Sequence, residues 1–308
     1  MEEFEKQEQI PSPPVITAED TMSLEEYKEW GGKELEEKAK IEYPFYKIEG
    51  KGKTVFYFGA DHSNNPADPM FEKIRSEFEE AKPDIVFVEG LMELQRNREE
   101  ASRYLKNANY KEVIKEMGES GFAAKLAVEN GTEVICPEPE WSSEITHLLD
   151  QSFSKGEIFV FYFYRQFNYW KMNLASERKG QDARKTFCEY IKRYLQGFQQ
   201  AAGWDDFDYS PERAEQLGEE IWGGKFNFDD KDFYEDKISP DPQTKTDQKA
   251  ERTRINDVAA ESDLFRDVYI VNKLGEMLRN HNRAFIVYGG SHAVMQRPAI
   301  KKLLGENF

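Results

Sequence analysis

The sequence predicts an α/β fold: a central mixed, largely parallel β-sheet flanked by helices, with a helical insertion or cap. Three observations predict it. In the first and last parts of the chain, short apolar runs alternate with amphipathic stretches of helical period. The middle has helical patterns and few strand signals. Finally, two segments far apart in the chain each read as an apolar strand running into Gly-x-x-His: Val55-Phe56-Tyr57-Phe58-Gly59-Ala60-Asp61-His62 and Phe285-Ile286-Val287-Tyr288-Gly289-Gly290-Ser291-His292.

The elements follow in order. Residues 1–21 mix acids, prolines and small polar residues without an apolar face, and read as a mobile arm. The first part of the core is expected over 43–140. Tyr43 to Ile48 meets Gly50-Lys51-Gly52 and resumes as Thr54 to Phe58, a β-hairpin feeding the first central strand. Pro69 to Lys82 is an amphipathic helix with Phe71, Ile74 and Phe78 on one face. Ile85 to Val88 is a buried parallel strand ending at Glu89-Gly90, and a helix from Gly121 to Asn130 leads into the strand Glu133 to Cys136. The insertion is expected over 141–233. Its aromatic segment Phe159 to Trp170 fits a buried helix of the cap, and also the wall of a substrate pocket. Residues 239–254 read as a flexible loop. The last part of the core, over 264–308, supplies the helix Leu264 to Arg279, the strand Ala284 to Tyr288 and the helix Ala293 to Leu304.

Composition narrows the function. The 308 residues, 39% hydrophobic and 14% aromatic, can bury a core, and the formal charge of -17 opposes binding to nucleic acid or anionic lipid. No run reaches the length of a membrane span. The acidic start Met1 to Lys6 does not resemble a secretory leader, and two cysteines give no disulfide framework. These features point to a cytoplasmic protein.

A glycine at a strand end allows a sharp turn and close approach of a ligand, and the histidine that follows is expected to open a helix. If the two Gly-x-x-His strands are neighbours in one parallel sheet, His62 and His292 share a crevice. Glu89 follows four apolar residues at a strand exit, where desolvation raises a carboxylate pKa and suits proton transfer or ligation. Glu138 and Glu140 lie in a proline-bracketed loop that also fits a solvated turn. Asp61 fits either a helix cap or a ligand contact. Arg266 beside Asp267 fits a surface ion pair, and His147 and His281 fit surface or cap roles.

Taken together, Gly59-Ala60-Asp61-His62, Lys82-Pro83-Asp84-Ile85-Val86-Phe87-Val88-Glu89, Arg266-Asp267-Val268-Tyr269-Ile270 and Gly289-Gly290-Ser291-His292 resemble, in the same order, the motifs of a known superfamily. It groups the TraB and PrgY pheromone-shutdown proteins, the Tiki peptidases and GumN, with more distant kinship to erythromycin esterases and haem-binding ChaN proteins. The resemblance covers mainly 53–137 and 265–304. It implies a site of His62, Glu89, Arg266 and His292, in which His62, Glu89 and His292 hold a divalent metal (Mn, Fe, Co or Zn) or position water. Arg266 then neutralises an anionic group or the developing oxyanion, and Asp61 and Glu138 are expected to contact substrate. The chain departs from the TraB pattern where Pro137-Glu138-Pro139 replaces an Asp-Arg pair.

The expected activity is hydrolysis of an amide or ester bond in a peptide or small-molecule ester, metal-assisted as in Tiki-like peptidases. One alternative is metal-independent His/Glu chemistry of the erythromycin-esterase type. Another is a non-catalytic protein that holds haem or a peptide.

Overall fold

A computed structural model describes residues 13–29, 44–173, 182–228, 237–240 and 252–305. They divide into two compact units, Met1–Glu138 with Asp267–Phe308, and Pro139–Arg266. The first unit is α/β. Strands β1 (Phe45–Gly50), β2 (Lys53–Ala60), β3 (Ile85–Val88), β4 (Glu133–Ile135) and β5 (Arg283–Gly289) form one sheet in the order β1-β2-β5-β3-β4. β1 pairs antiparallel with β2 through a two-residue turn in which Lys51 and Gly52 both take positive φ (49° and 72°), the backbone that matches the twist of a tight hairpin. The other pairings are parallel.

The two strands that carry Gly-x-x-His are therefore neighbours, with Gly59 opposite Tyr288 and Ala60 opposite Gly289. Strand alternation sorts side chains to the two sheet faces. Phe56, Phe58, Val86, Val88, Phe285 and Val287 pack with the helices Met70–Ala81 and Tyr110–Glu129. Val55, Tyr57, Ile85, Phe87, Ile286 and Tyr288 pack with Ile270, Val271 and Leu274 and with the helices Gly290–Met295 and Arg297–Leu304. Asp84 fixes the sheet register at the start of β3: its carboxylate accepts the backbone N–H groups of Asn282 (2.7 Å) and Arg283 (3.0 Å).

Several boundaries differ from the sequence reading. The helix expected from Gly121 begins at Tyr110 and is broken at Gly118 (φ 60°, ψ -146°), a conformation that hides one helical period behind two shorter ones. The helix expected from Leu264 begins at Arg254, and the last helix is split at Gln296, before Pro298. Residues 1–12 of the N-terminal arm and 241–251 of the expected loop lie outside the described residues. From Pro13 onward the arm is tied down: the Asn272 side chain accepts from Ile16 N–H and donates to Ile16 C=O, each at 2.9 Å, and Ile16 is buried.

The second unit is helical, with Trp141–Asp150, Lys155–Asn173, Ala183–Ala202 and Pro211–Trp222 joined by the start of Arg254–Met277. Its aromatic segment is core: Phe159, Phe163 and Phe167 are buried and meet Phe187, Phe198, Phe207 and Phe226 mostly edge to face or tilted. Among the described residues no helix is long and apolar enough to cross a membrane.

Gly59 marks the tightest point between β2 and its surroundings. A Cβ there would lie 2.5 Å from Pro44 Cγ, 2.8 Å from Ala293 Cβ and 3.1 Å from Gly290 Cα. Gly59→Ala is expected to destabilise the chain by roughly 1–3 kcal/mol, the usual cost of overpacking, read as a lower urea midpoint at unchanged slope.

Candidate functional site

The parallel pairing carries the C-terminal ends of β2, β3 and β5 to one edge of the sheet, the side on which open α/β sheets bind ligands. Glu89 leaves β3 directly. Its Oε2 accepts the backbone N–H of Gly289 at 2.9 Å, and its Oε1 stands 3.7 Å from His292 Nε2. Gly289 is the point of convergence: a Cβ on it would meet Glu89 Oε2 at 3.5 Å, His62 Nε2 at 3.6 Å and His292 Cδ2 at 3.7 Å. His62, Glu89 and His292 are thus brought together.

Each imidazole is held from behind by a carboxylate. His62 Nδ1 lies 2.7 Å from Glu119 Oε1, and Glu119 Oε2 accepts the Ser63 N–H at 3.4 Å. The break at Gly118 makes this possible, because a Cβ there would come within 3.2 Å of both Asn64 Oδ1 and the Ser63 carbonyl. His292 Nδ1 lies 2.6 Å from Asp267 Oδ1, which also accepts from Gln296 Nε2 at 2.7 Å; Gln296 Oε1 in turn accepts from Tyr57 Oη at 3.1 Å. A carboxylate partner alone is not diagnostic here. His147 pairs with Glu261 (2.7 Å) and stacks on Phe265, and His281 caps Met277 C=O while pairing with Glu133 (3.1 Å). What sets His62 and His292 apart is their convergence on Gly289 with Glu89.

The two rings differ in setting. His292 and Asp267 are buried, whereas the His62 side chain is 65% exposed above a buried Glu119. The hydrogen bond that His62 donates to Glu119 raises the His62 pKa to about 9 against the opposing effect of desolvation, with a further upward pull from Glu89. At neutral pH His62 is therefore a cation.

The remaining candidates fall as follows. His292 sits in a short helix, but His62 lies in a loop; the helix after it starts at Met70, whose N–H is capped by Asp68 (2.9 Å) and not by Asp61, which is exposed. Glu138 is buried, so it is no solvated turn residue. The Gln95 amide holds its backbone carbonyl at 3.3 Å, and its charge adds to burial in raising the pKa of Tyr288. Asp267 is fully buried, which overturns a surface ion pair with Arg266. Arg266 belongs to the second unit, where it stands 3.6 Å from Asp263. Sequence reasoning missed Glu119, Asp267 and Gln296.

The donor types, two imidazoles and a carboxylate, suit a divalent ion, and carboxylates behind the Nδ1 atoms are the usual support of metal-binding histidines. The 3.7 Å between His292 Nε2 and Glu89 Oε1 is close to the roughly 3.3–3.5 Å that separates two ligands on a tetrahedral ion. Among the described residues, however, no three such side chains form a ready ligand set as they stand.

Comparison of the chain with protein-family models, curated proteins and solved structures gives no match in any of the three. The chemistry therefore rests on geometry.

The Glu119 contact is directly testable. A nuclear magnetic resonance titration is expected to place the His62 pKa near 9, and Glu119→Gln to return it toward 6.5. Because the folded-state value is raised, the contribution of this pair to stability is fully present below pH 6.5 and lost as pH rises through about 9. A His62 value near 6.5 in the parent protein contradicts the pairing.

Proposed function

We propose that this chain is a hydrolase of ester or amide bonds that acts on water directly through His62, Glu89 and His292. The observation that carries the reading is their convergence on Gly289, with an acidic partner behind each ring. In this reading His292, backed by Asp267, takes a proton from water at Nε2, while Glu89, held by the Gly289 N–H, orients that water. The water oxygen bonds to the carbonyl carbon. His62, cationic through Glu119, donates its Nε2 proton to the leaving alcohol or amine as the carbon–heteroatom bond breaks. Transfer of the proton from His292 to His62, through solvent or directly, restores the site.

A second reading, the metal-assisted peptidase implied first by the resemblance, is favoured by the donor types and by the carboxylates behind both rings. His62, Glu89 and His292 would then hold a divalent ion, which would supply a Lewis acid for the carbonyl oxygen and lower the pKa of bound water. The cationic state of His62 weighs toward direct His/Glu chemistry, because a ligating imidazole must first lose its second proton.

The test is a panel of nitrophenyl esters and nitroanilides. Glu89→Gln and His292→Ala are each expected to lower kcat by about 10²–10⁴, the range of general acid–base catalysis, with the far-ultraviolet circular dichroism unchanged. Activity that survives exhaustive chelation supports direct chemistry; activity lost to chelator and restored by Mn, Fe, Co or Zn establishes the second reading. Gly289→Ala separates site from scaffold. Its Cβ has ordinary contact distances of 3.5–3.7 Å, so stability is expected to hold while the methyl fills the point between the reacting groups and turnover falls.

A further inference from the structure

We propose that Asp267, Gln296 and Tyr57 form a buried chain that fixes His292 in one tautomer, with the proton on Nδ1 and the lone pair on Nε2 beside Glu89. The chemistry of the members forces each orientation. Asp267, Gln296 and Tyr57 all have 0% exposure, so bulk solvent does not reach them and they bond to one another. A carboxylate only accepts, so Gln296 turns its amide nitrogen to Asp267 Oδ1 (2.7 Å). Its carbonyl oxygen then faces Tyr57, whose hydroxyl donates (3.1 Å). His292 Nδ1, 2.6 Å from the same Asp267 oxygen, carries the hydrogen of that bond. In its neutral form the ring has Nε2 as its acceptor atom, 3.7 Å from Glu89 Oε1.

Asp267 Oδ2 is buried with no hydrogen-bond partner among the described residues, so the hydrogen bonds from His292 and Gln296 both fall on Oδ1. A chain of four polar groups under the sheet costs more than an apolar core of the same volume, unless orientation of the ring is what it supplies. Asp267, Gln296 and Tyr57 are positioning residues, acting through His292. Their effect on turnover rests on the hydrolase reading, whereas the tautomer does not.

The experiment uses the full chain with ¹⁵N-labelled histidine rings, with His292 assigned by its loss in His292→Gln. Long-range ¹H–¹⁵N correlation at neutral pH is expected to show Nδ1 protonated, Nε2 unprotonated and a slowly exchanging downfield Nδ1 proton. Asp267→Ala is expected to let the Nε2–H form appear. Gln296→Leu, which keeps the carboxylate, is expected to retain the tautomer but speed exchange of the Nδ1 proton about tenfold, the order set by loss of one hydrogen bond, and to lower kcat at unchanged KM. If Asp267→Ala does not fold, Gln296→Leu carries the test. A proton on Nε2 in the parent protein, or unchanged Nδ1 exchange in Gln296→Leu, overturns the proposal. The stated tautomer in a protein that hydrolyses none of the ester and anilide panel sinks the hydrolase reading and leaves the chain standing.

Discussion

The parallel pairing of β2 with β5 is the constraint on which the site depends. More than two hundred residues separate His62 from His292, yet the register that sets Ala60 opposite Gly289 leaves their strands ending side by side. Placing β5 between β2 and β3 completes the arrangement, because Glu89 then emerges on the other flank of Gly289 and accepts its N–H. Asp84 helps to hold that register from the opposite end of the strands. The Lys-Pro-Asp to Glu segment thus carries one acid at its start that pairs with the backbone where β5 begins and another at its end that pairs with the backbone where β5 ends.

The two imidazoles share a plan and differ in environment. Glu119 is buried but its ring partner faces solvent, so His62 can hold a proton at neutral pH and exchange it with water. Asp267 and His292 are both enclosed, and further buried groups stand behind the acid, which holds the ring in one orientation.

Much of this was legible in the sequence. Apolar runs ending in Gly-x-x-His marked the strand ends, and Glu89 stood out as an acid after four buried residues. The partners behind the rings were not legible. Asp267 begins the stripe Ile270, Val271, Leu274; Gln296 begins the stripe Ala299, Ile300, Leu303; Glu119 begins the stripe Phe122, Ala123, Leu126. Each is a polar residue one turn ahead of buried apolar positions; Asp267 reads as half of a surface ion pair, Gln296 as an ordinary polar residue within its helix, and Glu119 falls before the helix expected from Gly121. A polar side chain there must find a partner, so the position is itself a signal. Gly118 obscured Glu119 further by breaking the period.

The central claim is that His62, Glu89 and His292 meet at Gly289. Nuclear Overhauser contacts between the ring protons of His62 and the Gly289 Hα protons, recorded together with those from His292 Hδ2 to Gly289, test it most directly. The account predicts both sets of cross-peaks, with the His62 set lost in His62→Ala and the His292 set retained. Cross-peaks from His292 alone, with the His62 ring in contact only with its own loop, would contradict a shared site.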